Sequence, residues 1–121
     1  MKREFVMTEW FDASWKEQNL SDEYLRSLQG ELLRDPECGD VIRGTGGFRK
    51  MRFALPGGGK SGGLRVIYLD ITDCETLYLM YAYPKSVKDT LSDAECNELK
   101  QIAANIKRNL RERSRKGNNH A

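Results

Sequence analysis

Histidine is almost absent from this chain: the only one, His120, sits in a polar stretch beside the last residue. A Ser-His-Asp triad, a Cys-His pair and most zinc sites are excluded with it, because each needs an imidazole held on an ordered scaffold. Cysteine is scarce too. Cys38, Cys74 and Cys96 are odd in number and far apart, which fits neither a disulfide framework nor paired metal ligands. They read as small, reduced, half-buried residues. No apolar run approaches the ~18 residues that span a bilayer, and nothing behind Met1-Lys2-Arg3-Glu4-Phe5 resembles the apolar core of a signal peptide. A cytoplasmic protein is expected, with no membrane association. Any chemistry must use Lys, Arg, Tyr, Asp or Glu.

At 121 residues the chain sits in the size range of one domain. Its hydrophobic content of 39% is well above that of disordered chains, so a packed core is expected. The domain is read as residues 1–110, with 111–121 as a basic, flexible tail. The net charge of +2 hides a strong segregation. Residues 1–40 carry 5 basic and 10 acidic side chains, residues 41–69 carry 6 and 0, residues 70–99 carry 2 and 7, and residues 100–121 carry 7 and 1. Two cationic blocks in a nearly neutral protein point to a phosphate-rich partner. Solvated charged faces would give the same count.

Glu4 to Trp10 reads as a short strand, rich in aromatic and β-favouring residues. A short helix over Asp12 to Gln18 follows, with Trp15 turned inward. Ser21 is placed as the N-cap of a second helix, with Asp22 and Glu23 in its first turn and Leu20 and Leu25 as a hydrophobic staple. Tyr24, Leu25, Leu28, Leu32 and Leu33 recur at helical spacing until Pro36 forbids continuation. Three strand patterns come next: Phe48 to Leu55, Leu64 to Ile71 and Thr76 to Lys85. Their connections are too short for parallel crossovers, so they form an antiparallel meander. Ser92 and Glu95 then make a capping box, with Leu91 facing Cys96, and Leu99, Ile102, Ala103, Ile106 and Leu110 line one face of a last helix. The fold class is α+β: a small antiparallel sheet packed against N-terminal helices and a C-terminal helix.

Gly59-Lys60-Ser61 imitates the end of a nucleotide-binding loop, but such a loop needs a helix directly after it to hold phosphates on its N-terminal amides. Here Gly62-Gly63-Leu64-Arg65-Val66-Ile67-Tyr68 reads as a strand. No nucleotide cofactor is expected. The glycines form a hairpin tip, on which Lys60 can still touch a phosphate.

Alternation along the Phe48 to Leu55 strand puts Lys50 and Arg52 on one side, and Arg49, Met51, Phe53 and Leu55 on the other. Arg65 stands at the end of the apolar row Ile67, Leu69, Ile71, where a strand-end surface arginine is the plain explanation. Tyr81, Tyr83, Lys85 and Lys88 bring aromatic rings and cations to one edge. That combination can grip single-stranded RNA, although at least one of Tyr78, Tyr81 and Tyr83 is expected in the core.

Three blocks in order, Gly46-Gly47-Phe48-Arg49-Lys50-Met51-Arg52-Phe53, Gly59 to Tyr68, and Tyr83-Pro84-Lys85 with Lys88 and Leu91 to Glu95, resemble the HigB-like branch of the RelE toxins. The resemblance covers the chain from the first strand to about Lys107. It implies the RelE-like fold and a toxin of a type II toxin-antitoxin system, an mRNA interferase that cuts mRNA in the ribosomal A site. The implied partners are a cognate antitoxin, the ribosome and mRNA; metals and cofactors are not implied.

By the same resemblance Lys50, Arg52, Arg65 and Lys85 are catalytic, while Arg49, Lys60, Tyr83 and Lys88 bind substrate. The ribose 2′-hydroxyl would attack the adjacent phosphate, leaving a 2′,3′-cyclic phosphate and a 5′-hydroxyl. Lys50 or Lys85 would take the proton, and Arg52 and Arg65 would stabilise the transition state. Two other readings fit the same chain: a non-enzymatic ParE-like toxin that binds DNA gyrase, and a regulator that binds RNA without cutting it.

Overall fold

The computed structural model describes residues 2–55, 63–84, 86 and 90–118, the side chains of 114–118 excepted. Its elements are β1 (Glu4–Met7), α1 (Glu9–Glu17), α2 (Asp22–Arg34), β2 (Asp40–Val41), β3 (Arg49–Phe53), β4 (Leu64–Ile71), a 3₁₀ turn (Thr72–Cys74), β5 (Thr76–Pro84) and α3 (Asp93–Asn118). The strands make one sheet in the order β1-β5-β4-β3-β2. The class is α+β, as expected.

From β2 to β5 the sheet is an antiparallel meander, but β1 pairs parallel with β5, so the sheet as a whole is mixed. A parallel neighbour needs a long return path, and here α1, α2 and the rest of the sheet supply it. The first strand is also shorter than its composition suggests. Thr8 breaks it by capping α1: its hydroxyl accepts from the Phe11 amide at 3.1 Å and donates to the Leu79 carbonyl at 3.1 Å. Trp10 thereby passes from strand to helix, and α1 begins at Glu9 instead of Asp12.

The helices cover both faces of the sheet. On one face Phe11 and Trp15 of α1 and Leu28 and Leu32 of α2 meet Met51, Phe53, Val66, Tyr68, Leu77 and Leu79. On the other, Leu99, Ile102, Ala103, Ile106 and Leu110 of α3 meet Phe48, Ile67, Leu69, Ile71 and Met80, the stripe that the periodicity predicts. Fully burying each such side chain contributes roughly 1.5–3 kcal/mol.

Polar groups fix how α1 seats. Ser14 donates to the Phe11 carbonyl and accepts from the Ala82 amide, both at 3.0 Å, so one buried hydroxyl ties α1 to β5. Arg3 and Asp70 form a two-pronged ion pair, at 2.7 and 3.3 Å, with side chains only 8% and 7% exposed. The capping box is made as read: the Glu95 carboxylate accepts from the Ser92 amide and Ser92 Oγ from the Glu95 amide. Ser21 holds the N-cap position of α2 without a side-chain cap bond. The three cysteines are free, Cys38 being exposed where a half-buried place was expected. The helical backbone of α3 runs past Arg111 to Asn118.

Candidate functional site

β3 supplies the first part of the site by simple alternation. Met51 and Phe53 are buried against α1 and α2, so Lys50 and Arg52 turn to the face that α3 partly covers. The register with β4 sets Lys50 opposite Ile67 and Arg52 opposite Arg65. Residues opposite one another share a face of the sheet. Arg52 is exposed, and Lys50 and Arg65 are half-buried.

β5 completes the row only because its alternation is interrupted. Ile67 pairs with Tyr81 and Tyr68 with Leu79, which leaves Met80 as an extra residue, a β-bulge. Such a bulge re-aims every side chain beyond it. Before it Leu77 and Leu79 face α1 and α2; after it Ala82 takes that face, while Tyr81 and Tyr83 turn to the face of Arg65. The result is a line Arg52, Arg65, Tyr83 across three strands, with a second line Lys50, Ile67, Tyr81 beside it.

The two tyrosines have different exposures. Tyr83 is 3% exposed and Tyr81 is 43% exposed, with ring centroids 5.9 Å apart at 47°. The open aromatic face in this arrangement belongs to Tyr81, with Tyr83 behind it. The sequence brings both forward but offers no signal for which is open, because the groups that cover Tyr83 come from elements distant in the chain.

Arg49 does not join this face. It points away with Met51 and Phe53, and its guanidinium donates to the carbonyls of Gly39, at 2.8 Å, and Glu37, at 3.4 Å. There it fastens β3 to the segment before β2, beside Tyr68. The buried Tyr68 hydroxyl donates to the Pro36 carbonyl at 2.8 Å and accepts from the Gly39 amide at 2.9 Å. Burial pushes the Tyr68 phenol far above its ordinary value. Desolvation likewise raises the Cys38 thiol, against the effect of its contact with Tyr68, which makes it a poor nucleophile. Lys60, Lys85 and Lys88 lie outside the described residues.

One acidic group was not anticipated. Asp40 of β2 stands opposite Lys50 in register, at the outer end of the second line. β2 has only two residues and no periodic pattern to betray it. Gly39 matters here, since a Cβ on it would lie 2.9 Å from the Tyr68 ring and 3.0 Å from the Lys50 carbonyl. A side chain at that position would push the edge strand off β3.

Two arginines in register on one face of a sheet repel one another, at a cost in stability. An anion placed between them relieves that cost, and planar arginine forks suit phosphate oxygens. A small α+β protein with a cationic line on one sheet face and an open tyrosine beside it has the chemistry of a polyanion-binding domain. The family model for the RelE toxin of the RelE / RelB toxin-antitoxin system matches residues 3–116. The chain belongs to the RelE toxin family, the toxin half of a toxin-antitoxin pair. Among solved structures, an E. coli RelE toxin in the free state, carrying two arginine-to-alanine substitutions, is similar at 21% identity. The match covers 88% of this chain and 98% of that one, with a TM-score of 0.47. No helix among the described residues is long and apolar enough to cross a membrane.

Proposed function

We propose that this toxin is a ribosome-dependent endoribonuclease of the HigB-like kind, which cuts mRNA in the A site and so stops translation, with its antitoxin as the neutralising partner. The observation that carries the reading is the register of Arg52 with Arg65, continued to Tyr83. RNA cleavage through its own 2′-hydroxyl needs a base to take the hydroxyl proton and cations to hold the charge that gathers on the phosphate. It needs no imidazole if a lysine and two arginines do both.

Arg52 and Arg65 clasp the non-bridging phosphate oxygens as the five-coordinate transition state forms. Lys50, beside them on the strand of Arg52, is assigned to take the 2′-hydroxyl proton. The 2′-oxygen bonds to phosphorus, the O3′–P bond stays in place and the P–O5′ bond breaks, giving a 2′,3′-cyclic phosphate and a 5′-hydroxyl that needs a proton. Lys85 follows β5 directly in the chain and is assigned to supply that proton or to replace Lys50 as base. Tyr81, backed by Tyr83, offers a ring for a base to stack on. Lys60 and Lys88 hold flanking phosphates. Arg49 is assigned to the fold, because both its carbonyl contacts are internal.

The deciding experiment is brief induction of the toxin followed by mapping of mRNA 5′ ends, with Arg65→Ala as the control. New ends inside coding regions, absent in the variant, are expected. Growth arrest with intact mRNA would overturn the reading in favour of a gyrase-binding or RNA-binding toxin.

A further inference from the structure

At the β2 edge of the sheet the ladder stops early. β2 meets β3 only through Asp40 opposite Lys50 and Val41 opposite Arg49. Just beyond, the Ile42 amide donates to the Phe48 carbonyl at 2.8 Å, and hydrogen bonds between antiparallel strands recur at every second residue. Phe48, Lys50 and Arg52 therefore turn their backbone groups to this edge, and no strand among the described residues reaches Arg52. The chain before Asp40 does not fill the gap: the Cys38 amide donates to the Asp35 carbonyl and the Gly39 amide to the Tyr68 hydroxyl. The edge at Arg52 offers one N–H and one C=O.

The same edge borders a groove of about 470 Å³, lined by Glu31 and Arg34 of α2, Asp35, Asp40 of β2, and Lys50 and Arg52 of β3. Lys50 and Arg52 belong to the cationic face as well, so the groove adjoins the phosphate site. Its carboxylates repel a phosphate and suit a neutral group that carries N–H donors. Glu31 sharpens this, because its Oε2 is buried and has no hydrogen-bond partner among the described residues. Such an acceptor costs stability until a donor reaches it. An added peptide strand would need several free backbone pairs, whereas β3 ends at Phe53. One pair is enough for a nucleobase.

The geometry points to this groove as the seat of one RNA base, next to the phosphate between Arg52 and Arg65, and to guanine as the base it selects. Guanine alone among the four bases carries two adjacent donors, N1–H and the N2 amine, which fit the two oxygens of a carboxylate. Glu31 is assigned to them. Guanine O6 and N7 are acceptors that arginine binds, and Arg34, three residues on from Glu31 along α2, lies on the same helix face. The other N2 hydrogen and N3 make an adjacent donor and acceptor, the complement of the Arg52 backbone pair. For cleavage this rests on the ribonuclease reading above, whereas binding of the base does not.

The test uses the full-length toxin in two measurements. On ribosomes carrying mRNA, mapped cuts should show guanine at one fixed position beside the broken bond. Inosine there, which lacks only the N2 amine, should slow wild-type cleavage about tenfold or more, the scale of a lost bidentate contact. Glu31→Gln presents one acceptor and one donor, the set that adenine fits, so guanine preference should fall and adenine should gain. Asp40→Asn, at an exposed position of the same groove, should lower the guanine preference several-fold. Each reading is a ratio between codons, which a smaller folded fraction leaves unchanged. Without ribosomes, a short RNA of 2′-O-methyl ribose, which cannot be cut, should bind wild type more tightly with guanine than with inosine, and Glu31→Gln equally with both. A wild type indifferent to inosine in both measurements would overturn the site, as would variants that keep the wild-type guanine preference. Absence of cleavage with the binding difference intact brings down the ribonuclease reading and leaves the site standing.

Discussion

Arg52 and Arg65 stand directly opposite one another on β3 and β4, two cations in register on one face of the sheet. Opposed like charges weaken a strand pair, and in the proposed function this pair holds a phosphate. Arg65→Ala and Arg52→Ala should each lower mRNA cleavage by about 10²–10³, the scale of losing one charge-stabilising donor. The urea midpoint should change far less than the activity does. A variant that lost activity only in proportion to lost stability would contradict the assignment.

The unequal exposure of Tyr81 and Tyr83 separates two roles. Tyr81→Ala should weaken RNA binding by about 1–3 kcal/mol, the scale of one stacked base, and leave the melting curve near wild type; Tyr81→Phe should keep most of the binding. Tyr83→Ala removes a ring that is 3% exposed and should cost about 3 kcal/mol of stability. Equal effects on binding and on melting at the two positions would show that exposure does not divide their roles.

Arg3 and Asp70 are both nearly out of water, and each is costly to leave alone. Asp70→Ala should destabilise the protein by about 3–5 kcal/mol, since it strands a buried cation. The double variant Arg3→Met with Asp70→Leu should recover most of that loss in the same urea titration. A deficit in the double variant as large as in the single one would show that the pair itself, and not the stranded charge, sets the cost.

Tyr68 gives the protein an alkaline limit. Burial raises its phenol in the folded state, so its contribution is complete below the ordinary tyrosine value of about 10 and is lost as pH rises from there toward the higher folded value. Above about 10 the unfolded chain releases the phenolic proton and the folded one keeps it, which pulls the equilibrium toward unfolding. Urea midpoints between pH 8 and pH 11 should fall more steeply for wild type than for Tyr68→Phe. Parallel slopes would remove Tyr68 from the account.

Much of this fold is legible in the chain. The α3 stripe, the Ser92 capping box and the meander follow from local periodicity and short connections, and β3's alternation already sorts Lys50 and Arg52 from Arg49. Elsewhere local pattern misleads. Trp10 looks like a strand residue until Thr8 finds the Leu79 carbonyl and starts a helix. β2 is too short to have a period, so Asp40 gives no hint that it faces Lys50.

The sequence by itself determined the segregation of charge, the strand and helix periods, and the scarcity of imidazole that leaves the chemistry to Lys, Arg, Tyr, Asp or Glu; these are properties of composition and of neighbouring residues. Only the tertiary structure decided that β1 returns parallel to β5, that Arg65 stands opposite Arg52, and that one extra residue at Met80 turns Tyr81 and Tyr83 to the face of Arg65. Register and bulge are relations between strands distant in the chain. They are set by which side chains the two faces bury, and no single segment carries that information.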